Sequence, residues 1–336
     1  MAGQRGFDPI AIVERSYALQ GSESEWIDRL LEAVGPAIDQ SIGVYGFTYR
    51  WHGGRLIFTA FASGHPAWED TLRQMNDEAS ADYLASVIDV RKPCFCFSQQ
   101  VARLPPQMRE WHDSFYRQLG LADALMVHAA DPDGGIGILS PRALAQTVPA
   151  REPARWQRIT AHMATALRLR RRIEREAVEG DEAVLSPSGS LLHATGVAKQ
   201  ADARERLRAA ARAMDRARGP LRKNDPQEAL ELWRALCAGR WSLVDRFESD
   251  GRRFLIAHRN QPHLPDLRGL SQREASVAAF AQLGQTNKEI AYTLGISPSS
   301  VATHLSAALR KLGLPSRAAL AATSFGQGAD KPGDQL

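Results

Sequence analysis

Between residues 286 and 312 the chain gathers groups able to meet a polyanion and the edges of its bases. Hydroxyls stand at Ser299, Ser300, Thr303 and Ser306, with Ala302 and His304 among them, and Lys288, Arg310 and Lys311 bracket the run. Lysine and arginine neutralise phosphates, while hydroxyls and methyl groups can touch base edges. These groups act together only if one element points them the same way. In residues 298–312, Val301, Leu305, Ala308 and Leu312 fall at i, i+4, i+7 and i+11, the buried stripe of one helix. Ser299, Thr303, Ser306 and Arg310 then share the opposite face, with Ala302 and Lys311 at its margins.

Upstream residues predict how that helix is held. Ser271 stands three residues before Glu274, and Thr286 three before Glu289, the spacing of reciprocal capping boxes. Ser297 precedes Pro298, a capping oxygen beside a residue whose fixed φ suits the first helical position. Gly284, Gly295 and Gly313 sit where the three helices must stop. The middle helix, roughly Asn287 to Leu294, spans about two turns, too short to persist without packing from Ile290, Ala291 and Leu294. This is a helix-turn-helix pattern, and its third helix can lie in a major groove. Between Leu267 and Leu320, six basic residues (Arg268, Arg273, Lys288, Arg310, Lys311, Arg317) face two acidic ones (Glu274, Glu289), a net of +4 that suits phosphate contact. The alternative for the same pattern is a helical bundle that merely packs against a partner.

The segment resembles the DNA-binding domain of the LuxR type, whose pattern runs Leu-Ser/Thr-x-Arg-Glu, Asn-Lys-Glu-Ile-Ala, Leu-x-Ile-Ser, Thr-Val-Lys-x-His and Lys-Leu-Gly. The corresponding residues are Leu270 to Glu274, Asn287 to Ala291, Leu294 to Ser297, Ser300 to His304, and Lys311 to Gly313. The resemblance covers about fifty of 336 residues. It implies a four-helix domain whose third helix is the reader, with a fourth beginning near Ser316 and Arg317. It also implies dimeric binding to paired half-sites on double-stranded DNA. Where the family commonly has Lys after the valine, this chain has Ala302, and one turn on it has Ser306. Neither side chain makes a bidentate base contact, so direct readout should be weak or unusual.

A chain this long exceeds one growing core, so two or three domains are expected. No apolar run reaches membrane-spanning length and the N-terminus lacks an apolar signal core, while three cysteines are too few for a disulfide framework. A cytoplasmic protein without membrane contact is the expectation.

Residues 1–19 read as a tail and 20–150 as a first domain. Two hairpins, about His52-Gly53-Gly54 and about Asp131 to Gly135, alternate with helices near 22–39, 67–88 and 106–119. This layout resembles a GAF-type sensor. The resemblance would place a pocket between sheet and helices, with Tyr45, Phe47, Tyr49, Phe58, Phe61, Phe97, Trp111, Phe115 and Tyr116 as lining or as ordinary core. Residues 151–180 read as one long helix with Ile159, Met163, Ala166 and Ile173 spaced for a coiled-coil seam between two subunits, and Arg168, Arg170, Arg171, Arg172 and Arg175 on the other face. A helix packed within one subunit, its basic face solvated, fits equally; direct DNA contact is a third reading. Residues 181–259 run strand pair, helices, strand pair, resembling an abbreviated PAS-type module. Residues 260–266 read as a linker, 267–325 as the helix-turn-helix domain, and 326–336 as a disordered tail. The expected fold class is thus an α+β multidomain chain, two α/β sandwich modules followed by an all-α four-helix domain.

Other chemistry finds no constellation. Cys94-Phe95-Cys96 lacks the further ligands a zinc site needs, and reads as two buried inert thiols, with Cys237 on a helix. No nucleotide-binding glycine loop or nucleophile elbow is present. The sequence therefore points to a non-enzymatic DNA-binding transcriptional regulator, an N-terminal sensory or dimerisation region controlling the helix-turn-helix. Its expected partners are duplex DNA, a second copy, a small-molecule or protein effector and RNA polymerase; no cofactor is specified. The alternative is a protein-interaction adaptor whose helix-turn-helix has lost base readout.

Overall fold

The computed structural model describes residues 7–52, 55–63, 67–88, 92–131, 134–175, 183–238, 241–247, 253–259, 270–312 and 314–322. The first domain is built on a five-stranded antiparallel sheet of order β2-β1-β5-β4-β3, with β1 (Tyr45–His52), β2 (Arg55–Ser63), β3 (Cys94–Cys96), β4 (Asp123–Asp131) and β5 (Gly134–Arg142). Tyr45 lies opposite both Ser63 and Leu139, and Val127 opposite both Cys94 and Ile138. The expected hairpins are the β1–β2 and β4–β5 pairs; their turn residues 53–54 and 132–133 lie outside the described residues.

Strand alternation sends successive side chains to two different cores. Tyr45, Phe47, Tyr49, Ala124 and Met126 face a core closed by α3 (Ala67–Glu78), α4 (Ala81–Val87), α5 (Phe97–Val101) and α6 (Pro106–Gln118). Val127, Ala129, Ile136 and Ile138 face the other core, under α1 (Pro9–Ser16), α2 (Glu23–Ile38) and α7 (Arg151–Arg175). All nine aromatics singled out in the sequence belong to the first of these cores, where Trp111 stacks on Phe115 at 5.5 Å and Tyr45 on Trp68 at 5.0 Å.

Two expectations change here. The segment read as a tail contains α1. Asp8 accepts from the N–H groups of Ile10 and Ala11, Pro9 occupies the first turn, and Ile10, Ile12 and Val13 are fully buried. Of the two readings of the seam, packing within one subunit is the one used: Ile159, Met163 and Ala166 are buried against the sheet and α1, and Ile173 packs on the same core. Of the basic face of α7, Arg170 and Arg171 are buried rather than solvated. Arg170 donates to the carbonyls of Leu19 and Gly21, and Arg171 to Tyr49 O at 3.3 Å and Thr59 Oγ1 at 3.0 Å. Periodicity alone could not tell a sheet from a second helix as the partner of this stripe.

The second unit is a four-stranded antiparallel sheet of order β7-β6-β9-β8, with β6 (Ala183–Leu185), β7 (Leu191–Ala194), β8 (Trp241–Phe247) and β9 (Arg253–Arg259). A 3-10 turn at Gly196–Lys199 leads into α8 (Ala201–Arg218), α9 (Leu221–Asn224) and α10 (Pro226–Ala238). Its core runs into that of the first domain: Leu207, Met214, Trp233, Trp241 and Leu255 join one cluster with Ile10, Trp26 and Trp156. Arg218 ties this junction by pairing with Glu14 of α1 and Asp245 of β8. Residues 248–252, between β8 and β9, and the linker expected at 260–266 lie outside the described residues.

Candidate nucleic-acid interface

Four helices form the C-terminal domain: α11 (Gln272–Gln282), α12 (Asn287–Leu294), α13 (Pro298–Leu312) and α14 (Arg317–Ala322). Both capping boxes are formed. Glu274 N donates to Ser271 Oγ while Ser271 N donates to Glu274 Oε2 at 2.7 Å; Thr286 and Glu289 repeat the exchange. Gly295 closes α12 at φ 64°, a left-handed conformation that other side chains rarely adopt. Ser297 Oγ accepts from Ser300 N at 3.0 Å and starts α13. Gly313 lies outside the described residues.

These caps fix the orientation of α13. Val301 and Ala308 are fully buried and Leu305 nearly so, in a core with Val277, Phe280, Ile290 and Leu294. The opposite face is open. Ser299, Ala302, Thr303, Ser306, Arg310 and Lys311 are exposed, Ser300 and His304 are half-buried, and Lys288 is exposed at the start of α12. Their partners differ. Ser299 and Ser300 share hydrogen bonds with Ser297, and Thr303 donates to Ser299 O at 3.1 Å. Lys311 is held by Glu274 at 2.7 Å, which draws the Glu274 carboxyl down to about 2 with help from the Ser271 N–H. Lys288 and Arg310 form no ion pair with any described residue, so both charges are available to a phosphate.

Sequence reasoning missed three positioning contacts. Glu274 pins the end of α13 to the start of α11 through Lys311. Arg317 donates to Asn287 Oδ1 at 2.8 Å and so braces α12 from α14. The third contact joins this domain to the first. His162 of α7, buried, shares hydrogen bonds with Tyr17, just past α1, at Nδ1 (3.3 Å) and with Tyr292 of α12 at Nε2 (3.4 Å). A neutral imidazole has one donor and one acceptor and so matches one hydroxyl on each side; burial lowers its pKa to about 3. Beside it Arg168 pairs with Asp131 and lies over the Phe280 ring, 5.4 Å from the centroid. A cleft between Ala130, Gln157, Thr160, Phe280, Gln285 and Thr293 follows the same seam. The sequence signal was slight: His162 and Tyr292 interrupt otherwise apolar buried stripes.

The cysteine pair of β3 is buried, and burial pushes both thiols up to about 12, as inert groups require. Among the described residues no cluster could hold a metal ion, and no helix is long and apolar enough to cross a membrane.

Residues 268–324 match the bacterial regulatory proteins of the luxR family. The C-terminal domain is a luxR-family helix-turn-helix domain. No curated protein matches the chain. Among solved structures, Escherichia coli SdiA is similar at 13% identity and a TM-score of 0.31, over 90% of this chain and 90% of that one. SdiA in complex with octanoyl-rac-glycerol is similar at 13% identity and a TM-score of 0.27, over 93% of this chain and 91% of that one.

Proposed function

We propose that the chain is a cytoplasmic transcriptional regulator, in which a GAF-like first domain and a PAS-like second unit hold and orient the luxR-type reading domain. The observation that carries this is the division of α13 into a fully packed face and an open one lined by Ser299, Ala302, Thr303, Ser306 and Arg310. Set in a major groove, that face offers hydroxyls and a methyl group to base edges, with Ser300 and His304 at its margin. Lys288 and Arg310 reach the flanking phosphates, while Lys311 joins them only by leaving Glu274. Two copies would present two reading helices about 34 Å apart to paired half-sites, and RNA polymerase would be the downstream partner.

Control belongs to the seam. Tyr292 and Phe280 of the reading domain rest on His162 and Arg168 of α7, the helix that also roofs the first sheet. An effector, small molecule or protein, that shifts α7 would change the spacing of the two readers.

The test is a gel-shift series in salt with the intact chain. Log affinity falls linearly with log salt, and Lys288→Ala and Arg310→Ala should each lower the slope by about 0.9. Lys311→Ala should lower it less. An unchanged salt response in Lys288→Ala and Arg310→Ala contradicts DNA reading. That outcome favours a protein-interaction adaptor, the reading to which the short side chains of Ala302 and Ser306 point.

A further inference from the structure

The second unit carries a charged surface that nothing above uses. The sequence of α8 places six arginines among three acidic residues, a net of +3 on eighteen residues. Arg204, Arg208, Arg212 and Arg216 recur at four-residue steps and are all exposed, with Arg206 beside them. Among the described residues none of Arg204, Arg206, Arg208 or Arg216 pairs with a carboxylate, although Asp202 and Glu205 lie on the same helix. Other arginines of this unit behave differently: Arg218, Arg222 and Arg253 are all in ion pairs. Asp215, on the same helix, lies 3.9 Å from Arg253.

The turn before α8 adds hydroxyls. Gly189 stands at φ 86°, and a Cβ there would meet the Arg208 carbonyl oxygen at 3.0 Å and Arg212 Cγ at 3.3 Å. This close approach sets the exposed Ser188 and Ser190 against the middle of the stripe. Hydroxyls beside guanidinium groups are usual contacts to a phosphodiester backbone.

Placement and charge name the occupant. α8 packs on α10, and α10 packs on α12, the helix that begins with Lys288. Residues 267–320 carry +4 and α8 +3, while the rest of the chain has 30 basic against 33 acidic residues, a net of −3. These two positive modules are linked through α10; α7 carries eight arginines against two glutamates, but its Arg155, Arg158, Arg168 and Arg171 pair with carboxylates. Arg204 to Arg216 span roughly 18 Å along the helix, about five phosphates of one DNA strand. We infer that α8 binds the backbone of duplex DNA flanking the site read by α13, so the footprint is longer than the helix-turn-helix alone would give. The inference rests on the DNA-reading function proposed above.

The experiment uses the intact chain and two duplexes carrying the strongest site selected from a random library. One ends at the site, and the other extends about fifteen base pairs on each side. For wild type the salt slope should be steeper on the long duplex. The combined variant Arg204→Ala, Arg208→Ala, Arg212→Ala should lower the slope by about two to three on the long duplex and leave it unchanged on the short one. Equal slopes for wild type on both duplexes, or a variant that changes neither or both alike, overturns the inference while leaving α13 as the reader. Wild type that binds neither duplex overturns both. Unchanged melting of the variant shows that the substitutions act on binding; a lowered melting point with equal loss on both duplexes counts against the inference.

Discussion

Two arginine-rich helices, α7 and α8, use the same side chain in opposite ways. In α7 the guanidinium groups of Arg170 and Arg171 are buried, and each finds carbonyl or hydroxyl acceptors on the first domain. In α8 the outward arginines face water without a carboxylate partner among the described residues. Burial converts an arginine into a structural bolt, because a desolvated guanidinium must have its donors satisfied. Exposure leaves its charge for something else. The difference comes from the neighbours: α7 roofs a sheet and touches α1, whereas one face of α8 meets only its own unit.

The largest expected effect breaks that contrast directly. Arg170→Ala should lower unfolding stability by about 2 kcal/mol, since a buried guanidinium that ties the part-buried carbonyls of Leu19 and Gly21 to α7 is lost, while Arg208→Ala should stay within about 0.5 kcal/mol. Urea unfolding of the two variants measures both.

Next comes the pH response of α7. Burial holds His162 at about 3 instead of the usual 6.5. Between those values the unfolded chain binds a proton that the folded chain refuses, so stability is full above pH 6.5 and falls as pH drops. The slope should reach about 1.4 kcal/mol per pH unit. His112, also lowered by burial, adds a slope of the same sign, so the readout is the difference between wild type and His162→Gln in urea melts at pH 7.0, 5.5 and 4.5. Equal slopes would remove His162 from the account.

A smaller effect is expected at the seam. Tyr292→Phe removes one hydroxyl contact to His162 and should cost about 1 kcal/mol, with faster amide exchange in α12 than in α8. The smallest concerns Glu274→Gln, which frees Lys311 from its ion pair. Above pH 4.5 the variant should melt slightly below wild type, and the gap should close as pH falls toward 2, where wild type loses the same charge. Its salt slope on DNA should rise, because Lys311 becomes available to phosphate.

What the sequence could reveal follows from the range of each interaction. Ser271 with Glu274, Thr286 with Glu289, Ser297 with Ser300 and the turn at Gly295 all act within four residues, so their chemistry was readable in the chain. The open face of α13 followed from the stripe that those caps orient. α1 could have been found, since Asp8 before Pro9 is a helix start, but eight residues give too little periodicity to stand out. The partner of the Ile159-Met163-Ala166 stripe was beyond reach, because a sheet and a second subunit demand the same apolar spacing. The seam was hidden for the same reason. Tyr17, His162 and Tyr292 are far apart in sequence, and nothing local marks them as neighbours.

The central claim is that the hydroxyl-lined side of α13 enters duplex DNA. Its most direct measurement is a crosslink between Ser306→Cys, in a Cys237→Ser background, and a duplex bearing a disulfide-tethered base in the major groove of the selected site, with Leu192→Cys on exposed β7 as control. A crosslink at residue 306 and none at 192 is the predicted result. Retention of DNA binding with no crosslink at 306 would contradict the account.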